Sequence, residues 1–237
     1  MAEQCMSRDH VSNENLNTIF FIDRQQGQRG ENTMYEVRKI PSKNTYDWLL
    51  ETHYAKRIPQ ITDAYGLFYN MEMVGVITYG KPASPYLCSG ICGKKFSSNV
   101  YELNRVCLIN NKKNEASYFV SATLRMLVRP RIIVSYADTA MGHLGTVYKA
   151  CNFIYTGATK PRTDVDTGNK HARHTEGLDY SKRKYRSSKH RYVYFVGNKR
   201  EKKEFLSNFN YPVMDYPKGT SSRYEINTKP QTQMEIF

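Results

Sequence analysis

Long apolar runs and a disulfide framework are both absent from this 237-residue sequence. No stretch of about 18 apolar residues could cross a bilayer, and the N-terminus lacks the apolar core of a secretory signal. The five cysteines are odd in number and have no framework spacing, which argues against a secreted disulfide scaffold. These absences predict a soluble protein of the cytoplasm, with no membrane partner.

Metal-ligand spacings are also scarce. Cys88 and Cys92 are four positions apart, but no second pair of cysteines or histidines completes a zinc site. His171 and His174 could supply two ligands, yet they lie in a basic segment beside Arg173, where phosphate contact is favoured. The sequence therefore predicts no metal site built by these residues.

Acidic residues are clearly outnumbered by basic ones. The chain has 35 Lys and Arg against 22 Asp and Glu, a formal net charge of +13. Such an excess indicates a polyanionic partner, because each neutralised phosphate releases condensed counterions. Solubility alone is the alternative explanation.

Much of this charge lies in one segment near the C-terminus. Residues 160–218 hold 15 Lys and Arg against 7 Asp and Glu, with several tyrosines between them. Basic side chains with interleaved aromatics suit contacts to phosphates and stacking on bases. The residues predicted to contact nucleic acid are Lys160, Arg162, Lys170, Arg173, Lys182, Arg183, Lys184, Arg186, Lys189 and Arg191.

The hydrophobic pattern predicts one domain with two extensions. Residues 1–33 are polar and are expected to form a loosely ordered arm, and residues 218–237 a flexible tail. The domain at 34–217 has the order β-α-β-β-β-α-β-α-β, then a basic insertion at about 158–189, then a last strand. This predicts an α/β (α+β) fold with a mixed, strongly twisted central sheet flanked by helices.

The boundaries of the elements follow from the same pattern. The segment at 131–138 is expected to run parallel to the central strand by the right-handed crossover rule, through a helix capped by Asn114. The other main predictions are a strand at 35–41, a helix at 44–57, a hairpin around 70–72, a loop at 81–98, a central strand at 100–109, a helix at about 142–151 and a last strand at 190–197.

The central strand carries a carboxylate and a guanidinium, Glu102 and Arg105. Side chains three positions apart on a strand point to opposite faces, unless a bulge lies between them. With a bulge, Glu102 could act as a general base or position Arg105 in a site. The alternative is a structural ion pair.

Polar residues also end the next strand. Asp138 follows the apolar run RIIVSYA, at the carboxyl end of a predicted parallel strand, where open α/β sheets bind ligands. Asp138 could equally cap the following helix. Tyr148, within that helix, could be a general acid, stack on a base, or pack in the core.

Six short motifs follow one another between residues 35 and 219: HYAK (53–56), YG (79–80), ELNR (102–105), SYAD (135–138), GH (142–143) and Tyr148. As a set they resemble the Mom DNA-modification proteins of bacteriophages and prophages. The order of strands and helices resembles the GNAT acetyltransferase fold. The resemblance implies an enzyme that adds a small acetamido or acyl-type group to the exocyclic amine of adenine in double-stranded phage DNA, which protects that DNA from host restriction.

The resemblance also implies roles for individual residues. A duplex adenine must leave the base stack before its amine can react, so the site is expected to hold a flipped base. Catalytic roles are implied for Glu102, Arg105, Asp138 and Tyr148. Substrate contacts are implied for His53, Tyr54, Tyr79, Ser135, Tyr136 and His143.

The donor is the least defined part of this prediction. The connection INNKKNEAS, residues 109–117, has no glycine, whereas acyl-CoA-using GNAT proteins have a glycine-containing loop there. The donor is predicted to be acetyl-CoA or another acyl or carbon donor, and iron is an alternative aid to the chemistry. The residues expected to bind the donor are Lys112, Lys113, Ala116 and Ser117.

Two other functions remain open from the sequence. One is an acetyl-CoA-dependent N-acetyltransferase that acts on an RNA, a peptide or a small amine. The other is a nucleic-acid-binding protein without catalysis, which would bind in a salt-dependent way and change no nucleoside.

Overall fold

The computed structural model describes residues 18–22, 34–165, 177 and 179–222. Its strands are β1 (Thr18–Ile22), β2 (Met34–Lys39), β3 (Asp63–Tyr69), β4 (Glu72–Gly80), β5 (Val100–Leu108), β6 (Arg131–Asp138), β7 (Ile154–Ala158), β8 (Arg162–Val165), β9 (Arg183–Arg186) and β10 (Lys189–Val196). Its α-helices are α1 (Pro85–Cys92), α2 (Glu115–Met126), α3 (Thr146–Ala150) and α4 (Lys199–Ser207).

Eight strands form one sheet in the order β1-β2-β3-β4-β5-β6-β10-β7. Neighbouring strands are antiparallel except β5 and β6, which are parallel and joined through α2. Strands β8 and β9 form a separate two-stranded ribbon inserted between β7 and β10. The predicted mixed sheet, its parallel central pair and the basic insertion before the last strand are confirmed.

The pairing of β5 with β6 is short. It covers only Val100–Glu102 against Ile132–Val134, after which the two strands separate. The Ser135 hydroxyl donates a hydrogen bond of 2.9 Å to the carbonyl of Leu103 just past the last pair. The gap that opens beyond this point becomes the cleft described below.

A bulge interrupts β5 beside this gap. Thr78 of β4 pairs with Arg105 and Tyr79 pairs with Leu103, so Asn104 is an extra residue in β5. The Asn104 side chain accepts from the Thr78 hydroxyl at 2.5 Å and donates to the Gln60 carbonyl at 3.0 Å. These two bonds satisfy the amide that the bulge turns away from the ladder.

The core lies on both faces of the sheet because successive strand residues face opposite sides. Ile133 of β6 packs in the larger cluster, which includes Phe119 of α2. Its neighbour Ile132 packs in a second cluster with Ile91 of α1 and Phe205 of α4. The helices on each face therefore cover one set of alternating apolar side chains.

Two predicted elements in the N-terminal half of the chain differ from the structure. The segment at 44–57 is not one helix but a 3₁₀ turn at Ser42–Thr45 and a π turn at Trp48–Thr52. Of its apolar residues only Leu49 is fully buried, so no continuous apolar stripe supports a regular helix. The predicted loop at 81–98 contains α1, which starts with Pro85 after a Ser84 cap, a signal hidden by the Ser, Gly and Cys around it.

The two extensions also hold structure. Strand β1 lies inside the predicted arm at 1–33 and pairs with β2. At the start of the predicted tail, the Ser222 N–H donates to the Gly142 carbonyl at 3.0 Å, and Ser221 accepts from the Leu144 N–H at 3.2 Å. The first tail residues are therefore bound to the turn before α3.

The cap of α2 and the length of α3 differ from the expectations. Asn114 has φ +65° and its side chain caps no N–H group among the described residues. Instead, the Glu115 carboxylate accepts from the Lys112 N–H at 2.9 Å. The helix expected at about 142–151 is limited to Thr146–Ala150.

A buried ion pair ties β3 to β6, and its removal should destabilise the fold. Asp63 accepts from Arg131 at 2.6 Å and from Lys39 at 2.9 Å, and its side chain is only 6% exposed. We expect Asp63→Ala to lower the free energy of unfolding by about 3 kcal/mol, because the buried guanidinium loses its partner. Urea denaturation followed by circular dichroism measures this change.

The surface pair of Lys95 and Glu204 supplies the matched control for that experiment. Glu204→Ala should change the unfolding midpoint little, because exposed ion pairs contribute little. Replacing both buried partners, as Asp63→Leu with Arg131→Met, should recover part of the loss. Equal effects of Asp63→Ala and Glu204→Ala would contradict this account.

Candidate active site

A single cleft of about 1310 Å³ opens between the separated ends of β5 and β6. It brings together most of the residues that the sequence singled out. The predicted site residues that line it are His53, Tyr54, Glu102, Arg105, Lys112, Lys113, Ala116, Ser117, Tyr136, Asp138, His143, Tyr148, Lys160, Arg162, Lys184, Arg186, Lys189 and Arg191.

Glu102 and Arg105 both line the cleft because of the bulge at Asn104. Without that extra residue the two side chains would face opposite sides of β5. The sequence allowed Glu102 and Arg105 to share a site only if a bulge lay between them, and the structure has that bulge.

The Glu102 carboxylate is in a weakly solvated place. Burial raises its pKa above the ordinary value, while the charges of Arg105, Lys189 and Arg57 act in the opposite direction. Among the described residues it makes no ion pair or hydrogen bond. A carboxylate with a raised pKa and open access to a cleft is suited to accept a proton from a substrate.

The Arg105 side chain is half-buried in the same cleft. Its Nη1 donates to the Asn104 carbonyl at 2.6 Å, whereas its buried Nε has no hydrogen-bond partner within the described chain. Burial lowers the pKa of Arg105, but a guanidinium keeps its charge at any working pH. A desolvated cation with a spare donor can bind an oxygen atom of a substrate or of a developing anion.

His53 and Tyr54 form a stacked pair at the floor of the cleft. Their ring centroids are 4.4 Å apart and the planes differ by 28°. The His53 Nδ1 accepts from the Ala55 N–H at 3.1 Å, so the proton of the neutral ring is on Nε2. Burial, with the nearby charges of Arg105, His143 and Lys56, lowers the pKa of His53 to about 3. His53 is therefore a neutral hydrogen-bond donor rather than a cation.

Asp138 is held by three groups at the end of β6. Its carboxylate accepts from Lys189 at 2.7 Å, from the Ser187 hydroxyl at 2.6 Å and from the Ala140 N–H at 3.0 Å. Burial acts to raise its pKa, but the ion pair with Lys189 and these hydrogen bonds hold it below the usual value. This geometry favours the capping alternative and makes Asp138 a weak base that fixes the start of β10 against β6.

Tyr148 lines the cleft from α3 and also packs against two rings. The Phe153 and Tyr192 ring centroids lie 5.3 and 5.1 Å from its own. Burial raises the pKa of Tyr148 to about 12, while the Ser135 side chain acts to lower it. A protonated phenol fixed in this way can donate a hydrogen bond or present its ring to a base.

Two predicted substrate-binding residues do not reach the cleft. Tyr79 is fully buried and its hydroxyl is 2.7 Å from that of Thr123, so the prediction that it contacts substrate was wrong. Tyr79 lies on the face of β4 that packs against α2, and only the register of β4 in the sheet places it there. Ser135 is also fully buried, and it contacts Tyr148 rather than a substrate.

The start of α2 forms one wall of the cleft, as predicted for donor binding. Lys112, Lys113, Ala116 and Ser117 all line it. The Glu115 carboxylate is occupied by Lys112 N–H and by the Tyr35 hydroxyl at 2.9 Å. The two lysines and the helix start therefore present a basic wall to the cleft.

The basic ribbon β8–β9 and the start of β10 form another wall. Part of its charge is paired internally, since Asp164 contacts Arg162 at 2.9 Å and Arg186 at 3.3 Å. Lys160 and Lys184 line the cleft and have no ion pair within the described part of the chain. These two lysines are thus available to an anionic partner.

Not every residue of the predicted basic set lies at the cleft. Arg183 of β9 and Lys182 just before it do not line the cleft. Lys170 and Arg173, like His171 and His174, fall outside the described residues. No group of three or more His, Cys, Asp or Glu that could hold a metal is found among the described residues.

Some cleft residues carried no recognisable signal in the sequence. Arg57 is close enough to Arg186 and Glu102 for both charges to affect its pKa. Burial and the charge of Arg186 lower the pKa of Arg57, and the charge of Glu102 raises it. Tyr86 and Tyr211 line the cleft from α1 and from the segment after α4. Their positions depend on how distant parts of the chain pack, although the helix-start signal at Ser84 would have placed Tyr86 on α1.

The neutral state of His53 can be checked directly. Because its pKa is lowered to about 3, its imidazole should stay neutral at pH 5, where an ordinary histidine is mostly protonated. The ¹⁵N chemical shifts of its ring measure this, and His53→Gln assigns the signals. A ring that titrates near pH 6.5 would contradict the burial and charge environment described here.

Comparison with known proteins places this domain in a family. The model of the Mom protein family matches residues 34–218. The methylcarbamoylase mom of Escherichia phage Mu is 27% identical over 142 residues, which cover 54% of this chain and 58% of the phage protein. The chain thus spans less than two thirds of the length of that curated relative.

Solved acetyltransferase structures also resemble parts of the chain. One is the ribosomal-protein-S5-alanine acetyltransferase from Vibrio fischeri, with a TM-score of 0.43 and 10% identity over 69% of this chain and 94% of the other. Another is an N-acetyltransferase from Staphylococcus aureus Mu50, with a TM-score of 0.43 and 12% identity over 69% of this chain and 99% of the other.

No described helix is both long and apolar enough to cross a bilayer. Because the family model matches 34–218, which is most of the sequence, the chain belongs to the Mom protein family.

Proposed function

We propose that this protein is a transferase that adds a small acetamido or acyl-type group to the exocyclic amine of adenine in phage DNA, which protects the DNA from host restriction. One observation carries the proposal: a half-buried carboxylate and guanidinium, Glu102 and Arg105, share one cleft with a wall of basic side chains. Membership of the Mom family and the name of the phage Mu relative support the reaction class.

The basic wall suits a DNA backbone. Lys160 and Lys184 are unpaired in the described structure, and Arg186 and Arg57 add charge at the same cleft. Contacts to phosphates position the duplex but do not by themselves select a base. The reacting adenine must leave the stack, and the cleft has aromatic rings that can stack on it: Tyr54, Tyr136 and Tyr148.

Glu102 is the proposed general base. The amine of adenine is conjugated with the ring and is a poor nucleophile, so loss of its proton must accompany bond formation. As the adenine nitrogen bonds to the electrophilic carbon of the donor, Glu102 accepts the proton and the donor's leaving group departs with the electron pair. Arg105 offers its Nε to an oxygen that gains negative charge, and Tyr148 and His53 offer further hydrogen bonds.

The donor is proposed to lie against the start of α2. Lys112 and Lys113 can pair with phosphate groups, and the small Ala116 and Ser117 let a ligand approach the helix. If acetyl-CoA is the donor, Lys112 and Lys113 would hold its phosphates, and when bound it would supply an activated acyl carbon with a thiolate leaving group. Another phosphate-bearing carbon donor would use the same residues.

Loss of the Glu102 carboxylate should abolish most modification. The protein is expressed in bacteria, their DNA is digested to nucleosides, and deoxyadenosine of increased mass is quantified by mass spectrometry. We expect Glu102→Gln to reduce the modified fraction by about 100-fold or more, because an amide cannot accept the proton.

Glu72→Gln provides the control, since Glu72 is exposed and lies outside the cleft. It should leave the modified fraction unchanged. If the wild-type protein is soluble and abundant but yields no heavier deoxyadenosine, the proposed function is wrong. If Glu102→Gln matches the wild type, another group is the base.

The two unpaired lysines should set part of the salt dependence of DNA binding. We expect Lys160→Ala and Lys184→Ala each to reduce the slope of log K against log salt by about 1, because each phosphate contact releases about one counterion. Fluorescence anisotropy with a duplex oligonucleotide at several salt concentrations measures the slope. Lys43 is exposed and does not line the cleft, so Lys43→Ala serves as control and should leave the slope unchanged.

A further inference from the structure

A charge-free stretch stands out in this basic protein at residues 82–93, PASPYLCSGICG. Its first part, Ala83–Tyr86, is exposed, and Tyr86 at the start of α1 is 88% exposed. We call Ala83, Pro85 and Tyr86 the apolar tip. Together these three residues form an exposed uncharged patch beside a cationic cleft, and contiguous apolar patches of this kind can mark a surface that contacts a partner.

The apolar tip belongs to the rim of the same cleft. Ala83, Tyr86 and Leu87 line it together with Glu102 and the basic Lys184 and Arg186. Leu87 also packs in the second core cluster, which includes Tyr136. The tip is therefore an uncharged projection next to a site whose other walls are cationic.

Helix α1 holds this projection firmly. Its last residues, Ile91 and Cys92, are buried in the second cluster. The Asn210 N–H donates to the Ile91 carbonyl at 2.9 Å, and its side chain donates to the Gly90 carbonyl at 3.2 Å. At the other end the Ser84 hydroxyl accepts from the Leu87 N–H at 3.3 Å. A helix anchored in this way can hold the Tyr86 ring in a fixed position against a partner.

The geometry points to Tyr86 as a wedge that enters the duplex and fills the gap left by the extruded adenine, an inference that rests on the proposed DNA modification. Proteins that distort DNA insert uncharged or aromatic side chains between base steps, while their basic residues hold the phosphates. The apolar tip and the basic wall at one cleft supply both parts. The gap that a flipped base leaves is bordered on two sides by the apolar faces of the neighbouring bases. Such a gap suits an aromatic ring rather than a lysine.

The wedge predicts a loss that depends on base pairing. The reactions contain purified protein and the small-molecule extract of expressing cells. In them the Tyr86→Ala variant should modify a matched duplex at least about 10-fold less than the wild type does. The same variant should be close to wild type on the single strand and on a duplex whose adenine faces an abasic site. Tyr86→Phe should retain activity on all three, and Tyr46→Ala, an exposed tyrosine outside the cleft, is the matched control.

An equal loss on all three substrates, or no loss on the duplex, would overturn the wedge while leaving the transferase function intact. Binding is read separately, through the fluorescence of 2-aminopurine placed in duplexes of several flanking sequences. Wild type should raise this fluorescence by unstacking the base, and Tyr86→Ala should not. If the wild type modifies no substrate, the proposed function fails, and the fluorescence comparison still decides for or against the wedge. Identical fluorescence with the wild type and with Tyr86→Ala would overturn the wedge.

Discussion

The rest of the site depends on the point at which β5 and β6 stop pairing. After Glu102 and Val134 the two parallel strands separate, and the hydrogen bond from Ser135 to Leu103 marks the fork. Backbone groups that no longer pair with each other border a gap wide enough for a ligand. Because the strands on either side continue their antiparallel pairing, the gap is held open by the sheet itself.

The bulge at Asn104 gives this gap its chemistry. One extra residue turns Arg105 onto the side of Glu102, so that a carboxylate and a guanidinium meet in a poorly solvated place. The same residue bonds to Thr78 and to Gln60, which ties the segment that carries His53 and Tyr54 to the central strands. A local irregularity of the backbone thus assembles four side chains from two parts of the chain.

Charge and burial divide the work among the titratable groups. The Asp138 carboxylate is paired with Lys189 and has a lowered pKa. The Glu102 carboxylate is half-buried, has no bonded partner in the described structure and has a raised pKa. Two carboxylates at one cleft are therefore suited to different tasks, one to hold strands together and one to accept a proton. The surrounding lysines and arginines favour an anionic partner and oppose protonation of His53.

Strand periodicity, residue order and net charge determined much of this protein from the sequence alone. The parallel central pair, the hairpin of β3 and β4 and the basic insertion were predictable, because these signals are local or compositional. The family resemblance added most of the predicted site residues that line the cleft. The helix at 44–57, the loop at 81–98 and the substrate contact of Tyr79 were predicted wrongly, since burial and register depend on distant partners. Only the tertiary structure decided that Asn104 is bulged, that Asp138 is paired with Lys189, and that Tyr86 stands at the rim of the cleft. Each of these is a contact between segments far apart in the chain, for which the sequence carries no local pattern.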